Sequence, residues 1–471
     1  MRRSLSLLVT ALVATGTTLL ATGSHAATSG TTTSTQTIPG EGGTPLKAFV
    51  ITANAPGPHP LLVMPSSWGT PDVEYVGAAE KLASDGGYNV ISYTSRGFYS
   101  SGGKIDVAGP DTVADVSRVI DWGLAHTPSD AREVGVAGIS YGAGLGLLAA
   151  AKDPRIKAVA AMSGWSDLVA SLYPGKTINN QSVTALLALG DLTGHPGPDM
   201  QRLQNEYFGG HVDAAIADAM KLAPVRSAAT QLKQINANHP AILMANSWQD
   251  SIFPPAQLTD FFSALTGPKH LILGPGDHAT AELPGAFGLP NHTWTAVSRW
   301  FDHYLRGIDN GIAAENPVAL KASNGGAWQG YPDWNSVQRT ATTSYLGGKG
   351  TLSGKATIGW HDKISAGVDT VADSGTFELT GALQGYLNVP NPVLLPLVPA
   401  SIAGVWNGPS DATAIQIRGS ARLHTTVTPS TADTSLFAYL YDVGPFGFGS
   451  LITCKPYSLR DATPGKAQTV D

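Results

Sequence analysis

The stretch from Val134 to Ala151 constrains the fold more than any other: Val-Gly-Val-Ala-Gly-Ile-Ser-Tyr-Gly-Ala-Gly-Leu-Gly-Leu-Leu-Ala-Ala-Ala. Val134 to Ala137 read as a short buried strand, and Tyr141 to Ala151 as a helix of small side chains able to lie close against it. Between them stands Gly138-Ile139-Ser140-Tyr141-Gly142, a G-x-S-x-G pattern. After a strand and before a helix, this pattern is a nucleophile elbow, a sharp turn that holds a serine in strained backbone geometry with its hydroxyl presented. Glycines flank the serine because side chains at those positions would collide. The plain alternative is a Gly/Ser turn in an α/β sheet, and the rest of the chain decides between the two.

The chain has 471 residues, enough for two or three domains, each with its own core. A net charge of −6, with 14% charged residues, gives no basic footprint for nucleic acid or an anionic membrane. The start reads Met1-Arg2-Arg3, an apolar small-residue stretch from Leu5 to Leu20, and then Ser24-His25-Ala26. That order is expected of a secretory signal peptide cut after Ala26, and the paired arginines allow either general or twin-arginine export. No later run of 18 apolar residues suggests a span, so a soluble, extracellular protein without stable membrane association is expected. The single cysteine, Cys454, cannot form an internal disulfide and reads as a buried small hydrophobe.

Residues 27–44 are rich in Thr, Ser and Gly and are expected to form a flexible leader. From 45 onward strands and amphipathic helices alternate, which favours a mostly parallel sheet covered on both faces. Strands are expected near Leu46 to Thr52, Leu61 to Met64, Tyr88 to Tyr93, Ile156 to Met162, Ala241 to Ala245 and His270 to Leu273. From about 165 to 238 the strand pattern lapses into helical stretches, the signature of an inserted helical cap. The final helix of this part, Thr293 to Leu305, carries Trp294, Val297, Phe301 and Tyr304 on one face.

A serine hydroxyl needs a base within hydrogen-bond reach, and that base needs a carboxylate to orient it. The chain offers Ser140, Asp250 and His278 in that order, each just beyond the end of an expected strand. This is the order of nucleophile, acid and histidine in an α/β-hydrolase. Asp277 and Asp167 are alternative acids, although Asp277 adjoins His278 and neighbours in an extended loop point apart. His270 lies at the start of its strand and His303 in the last helix, both away from the strand tips. The oxyanion is expected to be held by the backbone amide of Tyr141 and by that of Trp68, in the loop Pro65-Ser66-Ser67-Trp68-Gly69 after the second strand. Trp165, Trp248 and Phe253 are candidates for an apolar substrate pocket, with core packing as their other reading. No cluster has metal-ligand spacing and no phosphate-cradling glycine motif is present, so no metal or cofactor is expected.

Beyond about Pro317 short Thr/Gly-rich strands alternate with turns, the pattern of an all-β sandwich. The chain thus reads as a signal peptide (1–26), a leader (27–44), a catalytic domain (45–318) and a β domain (319–471).

Ser-Tyr-Thr-Ser-Arg-Gly at 92–97, Gly-Ile-Ser-Tyr-Gly at 138–142, Asp250, Gly-Pro-Gly-Asp-His at 274–278 and Arg-Trp-Phe-Asp-His-Tyr-Leu-Arg-Gly at 299–307 together resemble the X-Pro dipeptidyl-peptidase / cocaine-esterase family. The resemblance implies an α/β-hydrolase domain with an inserted helical cap, followed by a jelly-roll domain. It implies a serine hydrolase acting through an acyl-enzyme on small ester or peptide substrates. Two departures stand out. Trp68 occupies the place where family members commonly carry an oxyanion-loop tyrosine, and the jelly roll is shorter than the family's. Esterase is the favoured activity and X-Pro aminopeptidase the alternative; a noncatalytic secreted carbohydrate- or surface-binding protein is the reading from another class.

Overall fold

The computed structural model describes residues 30–338, 341–411 and 413–471; the expected signal peptide lies outside them. The chain forms two compact units. One comprises the residues up to Gly164 with Asn180–Ile242 and Glu282–Ile312, and the other Trp165–Asn179, Leu243–Ala281 and Ala313–Asp471.

In the first unit six strands lie in the order β1-β2-β4-β3-β5-β6. They are β1 (Thr31–Pro39), β2 (Pro45–Ala53), β3 (His59–Pro65), β4 (Asn89–Tyr93), β5 (Ser129–Ile139) and β6 (Ile156–Met162). β1 and β2 run antiparallel, whereas β4, β3, β5 and β6 are mutually parallel. The parallel strands are covered on both faces, which is why they read as apolar runs rather than alternating patterns. Leu61, Leu62, Val63 and Met64 of β3 are all buried, as are Val134, Val136 and Ala137 of β5. The connecting helices include α1 (Val76–Gly86), α2 (Pro110–His126) and α3 (Tyr141–Lys152), and α1 ends on Gly87 in the left-handed conformation that a helix C-cap favours. The helix expected over 293–305 spans His292–Tyr304, with Trp294, Val297, Trp300 and Phe301 buried.

The leader is not unstructured throughout. Strand β1 occupies it and pairs with β2 along its whole length, from Thr31 opposite Ala53 to Pro39 opposite Pro45. β-branched threonines suit an edge strand that is mostly exposed, so no apolar alternation marks it. Its turn is fastened from below, where the buried Arg96 forms a two-pronged ion pair with Asp115 (2.6 and 2.9 Å) and also donates to the Glu41 carbonyl (2.8 Å).

In the second unit β7 (Ala241–Ser247) is followed by β8 (Lys269–Gly274), then by β9 (Val318–Ala322) parallel to β8 and β10 (Gly325–Tyr331) antiparallel to β9. The boundary expected at 318/319 therefore falls within a continuous ladder, with Leu271 opposite Val318. Smaller antiparallel sheets follow, the longest pairing Thr434–Val443 with Phe448–Leu459. Cys454 lies in the second of these strands and is exposed rather than buried. The helical segments expected between 165 and 238 are present as Leu168–Leu172, Asn180–Thr193, Pro198–Phe208, Val212–Leu222 and Leu232–Asn238. Among the described residues no helix is long and apolar enough to cross a membrane.

Candidate active site

Ser140 stands between β5 and α3 with φ 55° and ψ −115°, a conformation L residues rarely adopt outside functional turns. The turn is fixed on both sides. The Ser140 N–H donates to the Met162 carbonyl of β6 (2.8 Å), and the Gly144 N–H donates to the Ser140 carbonyl (3.1 Å). The glycines are obligatory for steric reasons. A Cβ at Gly138 would lie 2.4 Å from the Gly142 carbonyl carbon, and one at Gly142 would lie 2.1 Å from the Pro65 carbonyl oxygen. The elbow is thus pressed against the end of β3, where the candidate oxyanion loop begins.

That loop turns through Gly69 at φ 70°. Among the described residues nothing accepts a hydrogen bond from the Trp68 backbone N–H. The Trp68 side chain is fully engaged: its indole N–H donates to the Leu186 carbonyl (2.9 Å), and its ring meets Phe98 and Tyr141 edge-on at 4.9 and 5.1 Å. The Tyr141 hydroxyl in turn accepts from the Ala108 N–H (2.6 Å), so the residue after the nucleophile is anchored by its own side chain. Beneath the loop lies Glu74, which the sequence reading passes over. It accepts from the Ser67 N–H (2.7 Å) and the Thr70 hydroxyl (2.6 Å), while the Tyr75 hydroxyl donates to the Pro65 carbonyl (3.2 Å) and accepts from the Ile139 N–H (2.9 Å). No local signal singles it out, since the segment before α1 also carries Ser66, Ser67, Thr70 and a second acid, Asp72.

In the second unit Asp250 and His278 come together. His278 Nδ1 lies 3.1 Å from both Asp250 carboxylate oxygens, and Oδ1 also accepts from the N–H groups of Ile252 (2.9 Å) and Phe253 (2.7 Å). The two loops are laced at their base, where Trp248 N–H donates to the Gly274 carbonyl (2.8 Å) and Gln249 N–H to that of Gly276 (3.3 Å). Burial disfavours the imidazolium, but the carboxylate of Asp250, supported by Glu378 and Asp277, outweighs it and His278 is pushed up to about 9. Glu378 enters from the start of the helix Leu379–Leu387, at φ 55°, and burial raises its own pKa. No local pattern marks it, because it reaches His278 from a hundred residues downstream.

The alternative candidates have other duties. Asp277 accepts from the N–H groups of Ser251 and His278 (both 2.7 Å), which shapes the loop rather than the ring. Asp167 caps the helix Leu168–Leu172 by accepting from Ala170 N–H (3.0 Å). His270 is buried within β8, and His303 lies against the Ile308 carbonyl (3.1 Å). Of the pocket aromatics, Trp165 and Phe253 pack together at 5.1 Å, and Phe253 meets the His278 ring edge-on at 5.3 Å. Trp248 is pinned elsewhere, its indole N–H donating to the Lys321 carbonyl of β9 (2.6 Å). No group of three metal-ligating side chains is gathered among the described residues.

A candidate serine esterase of Mycobacterium bovis is 25% identical over 230 residues, 47% of this chain and 36% of its own length. A candidate Xaa-Pro dipeptidyl-peptidase of Streptomyces avermitilis is 22% identical over 382 residues, 76% of this chain and 52% of its own. The chain therefore spans between a third and about half of the length of these relatives. Among solved structures, an aminopeptidase from a marine sediment Thaumarchaeota archaeon superposes with a TM-score of 0.64 at 15% identity, covering 95% of this chain and 87% of that one; this likeness identifies the α/β-hydrolase-type fold. The family model for X-Pro dipeptidyl-peptidases of the S15 family matches residues 42–280, just over half of the chain and the part that holds the elbow, Asp250 and His278. The chain belongs to the X-Pro dipeptidyl-peptidase (S15) family of serine hydrolases.

Proposed function

We propose that the protein is a secreted serine hydrolase that cleaves carboxylic esters through Ser140, His278 and Asp250. The observation that carries this reading is the strained Ser140 backbone, with φ and ψ characteristic of a nucleophile elbow. In the proposed reaction His278 Nε2 takes the Ser140 proton as Oγ attacks the ester carbonyl. The amides of Trp68 and Tyr141 stabilise the oxyanion, and His278 returns the proton to the departing alcohol. Water, deprotonated by the same imidazole, then releases the acid from Ser140. Asp250 keeps the Nδ1 proton in place and balances the imidazolium. The Trp165–Phe253 pair beside His278 suits an apolar or aryl group on a small substrate.

A second reading, an aminopeptidase of the X-Pro type, is favoured by Glu378. Its part-buried carboxylate accepts no hydrogen bond among the described residues and lies within electrostatic range of His278, which suits it to hold a substrate's free amine. Turnover of short p-nitrophenyl esters against Gly-Pro and Ala-Pro anilides separates the two; efficient anilide cleavage would reverse the preference. Labelling by a fluorophosphonate, lost in Ser140→Ala, tests both, because a noncatalytic binding protein would not react. We read the small sheets after β10 as part of a jelly roll, a reading supported by the antiparallel pairing of Thr434–Val443 with Phe448–Leu459 and of Thr425–Val427 with Gln468–Val470. Secretion rests on the first 26 residues, and the N-terminal sequence of protein from the culture medium tests it: a start at Ala27 supports export, and an intact Met1 would argue against it.

A further inference from the structure

The contacts around Glu74 outnumber the hydrogens that an ionised carboxylate would leave to make them. Ser67 Oγ lies 2.5 Å from Glu74 Oε1 and 2.9 Å from the Ile139 carbonyl oxygen. The Ser67 hydroxyl has a single hydrogen, and a carbonyl can only accept. If Glu74 were ionised, one of these two short O···O approaches would set lone pair against lone pair. On the other oxygen, Oε2 accepts from the Ser67 N–H, and the Thr70 hydroxyl spans Oε2 (2.6 Å) and the Ser67 carbonyl (2.9 Å), so its single hydrogen is already committed on that side. One further hydrogen, on Oε1, resolves the conflict at Ser67: Oε1–H donates to Ser67 Oγ, and Ser67 Oγ–H donates to Ile139 O.

We propose that Glu74 is held as the neutral carboxylic acid and acts as a positioning residue, its proton joining the oxyanion loop to the nucleophile elbow through Ser67. Ile139 immediately precedes Ser140, and Ser67 immediately precedes Trp68. The hydrogen-bonded chain Glu74–Ser67–Ile139 therefore fixes the spacing between the residue that supplies one oxyanion amide and the strand end that delivers the nucleophile. Tyr75 braces the same junction from the other side, between the Pro65 carbonyl and the Ile139 N–H. The surroundings agree with a neutral acid: burial raises the carboxyl's pKa, and Ser67, Thr70 and Tyr75 are the groups that act against that rise. None of them carries a positive charge that would hold the carboxylate form.

This inference rests on the proposed role of the Trp68 amide and is tested by two independent measurements. The first is the infrared difference spectrum of wild type minus Glu74→Gln at neutral pH. A carboxylic-acid C=O band present in wild type and absent in the variant is expected, and a carboxylate band in its place would overturn the proposal. The second is kinetic. Glutamine can donate from its amide nitrogen to Ser67 Oγ and accept through its oxygen, so Glu74→Gln should keep kcat within a few-fold. Glu74→Ala should lower kcat by about ten- to a hundredfold with KM unchanged, the scale expected when an oxyanion donor is displaced without being removed. A glutamine variant as impaired as the alanine variant would overturn the neutral-acid assignment, and an alanine variant with full kcat would overturn the positioning role. Should the alanine variant fail to fold, the glutamine kinetics and the infrared band decide. If wild-type protein neither hydrolyses esters nor takes a fluorophosphonate, the reading of Ser140 fails, while the infrared band still decides the state of Glu74.

Discussion

Asp250 grips His278 with both carboxylate oxygens, each 3.1 Å from Nδ1, while Oδ1 is itself steadied by two backbone N–H groups. The imidazole is thereby oriented through Nδ1, and it is also made unusually basic, pushed up to about 9. A base must be neutral to accept a proton. On the esterase reading, kcat/KM for an aryl ester should therefore fall about tenfold per pH unit below about pH 9. Glu378→Gln removes one of the charges that raise His278 and should move this limb to lower pH; a limb that stays in place would exclude Glu378 from the site's electrostatics.

The same shift has a consequence for stability. The folded-state pKa of His278 lies above the ordinary 6.5, so the native state holds the proton more tightly than the unfolded chain does. The contribution of the His278–Asp250 pair is therefore complete below about pH 6.5 and is lost as the pH rises towards 9. The difference in Tm between wild type and His278→Gln should be larger at pH 6 than at pH 9.5.

Asp250 and Asp277 are separable by substitution. Asp250→Asn removes the acceptor that fixes the Nδ1 proton and should cost on the order of 10⁴-fold in kcat. Asp277 accepts from the N–H groups of Ser251 and His278, and asparagine can do the same through its carbonyl. Asp277→Asn should therefore lose less than about tenfold, the scale of losing a little orientation rather than a catalytic group. Equal losses in the two variants would leave the choice of acid open again.

The Trp68 ring and its amide serve different ends. Trp68→Phe keeps the backbone N–H and the aromatic packing but deprives the Leu186 carbonyl of its indole donor. The expected cost is about 1–2 kcal/mol of stability, read as a lower Tm, with kcat within a few-fold of wild type. A hundredfold fall in kcat would show that the ring itself takes part.

Gly142 leaves no room for a side chain, with a Cβ only 2.1 Å from the Pro65 carbonyl oxygen. Gly142→Ala must separate α3 from the end of β3, at a cost of about 3 kcal/mol or more, and the accompanying loss of ester turnover should exceed what the fall in Tm alone explains.

The parts legible in the sequence are those whose signal is local. Gly138 to Gly142 announce the elbow because the steric demand acts within five residues, and Asp250 and His278 stand at the ends of strands that apolar runs reveal. β1 was hidden because an exposed edge strand of threonines needs no apolar alternation. Glu74 and Glu378 were hidden for another reason. Each acquires its role from partners that only the tertiary fold supplies, Ile139 for the one and His278 for the other.

The helix Leu379–Leu387 lies so close to the histidine loop that a Cβ at Gly381 would be 2.7 Å from that of Asp277, and one at Gly385 would be 2.9 Å from Gly276 Cα. Gln384 adds hydrogen bonds to Gln249 and to the Ser323 carbonyl. Together with the pairing of β9 onto β8, this makes the region beyond residue 318 a buttress of the loop that carries His278. Recombination that swaps the region beyond residue 318 would have to carry the backing of the His278 loop with it.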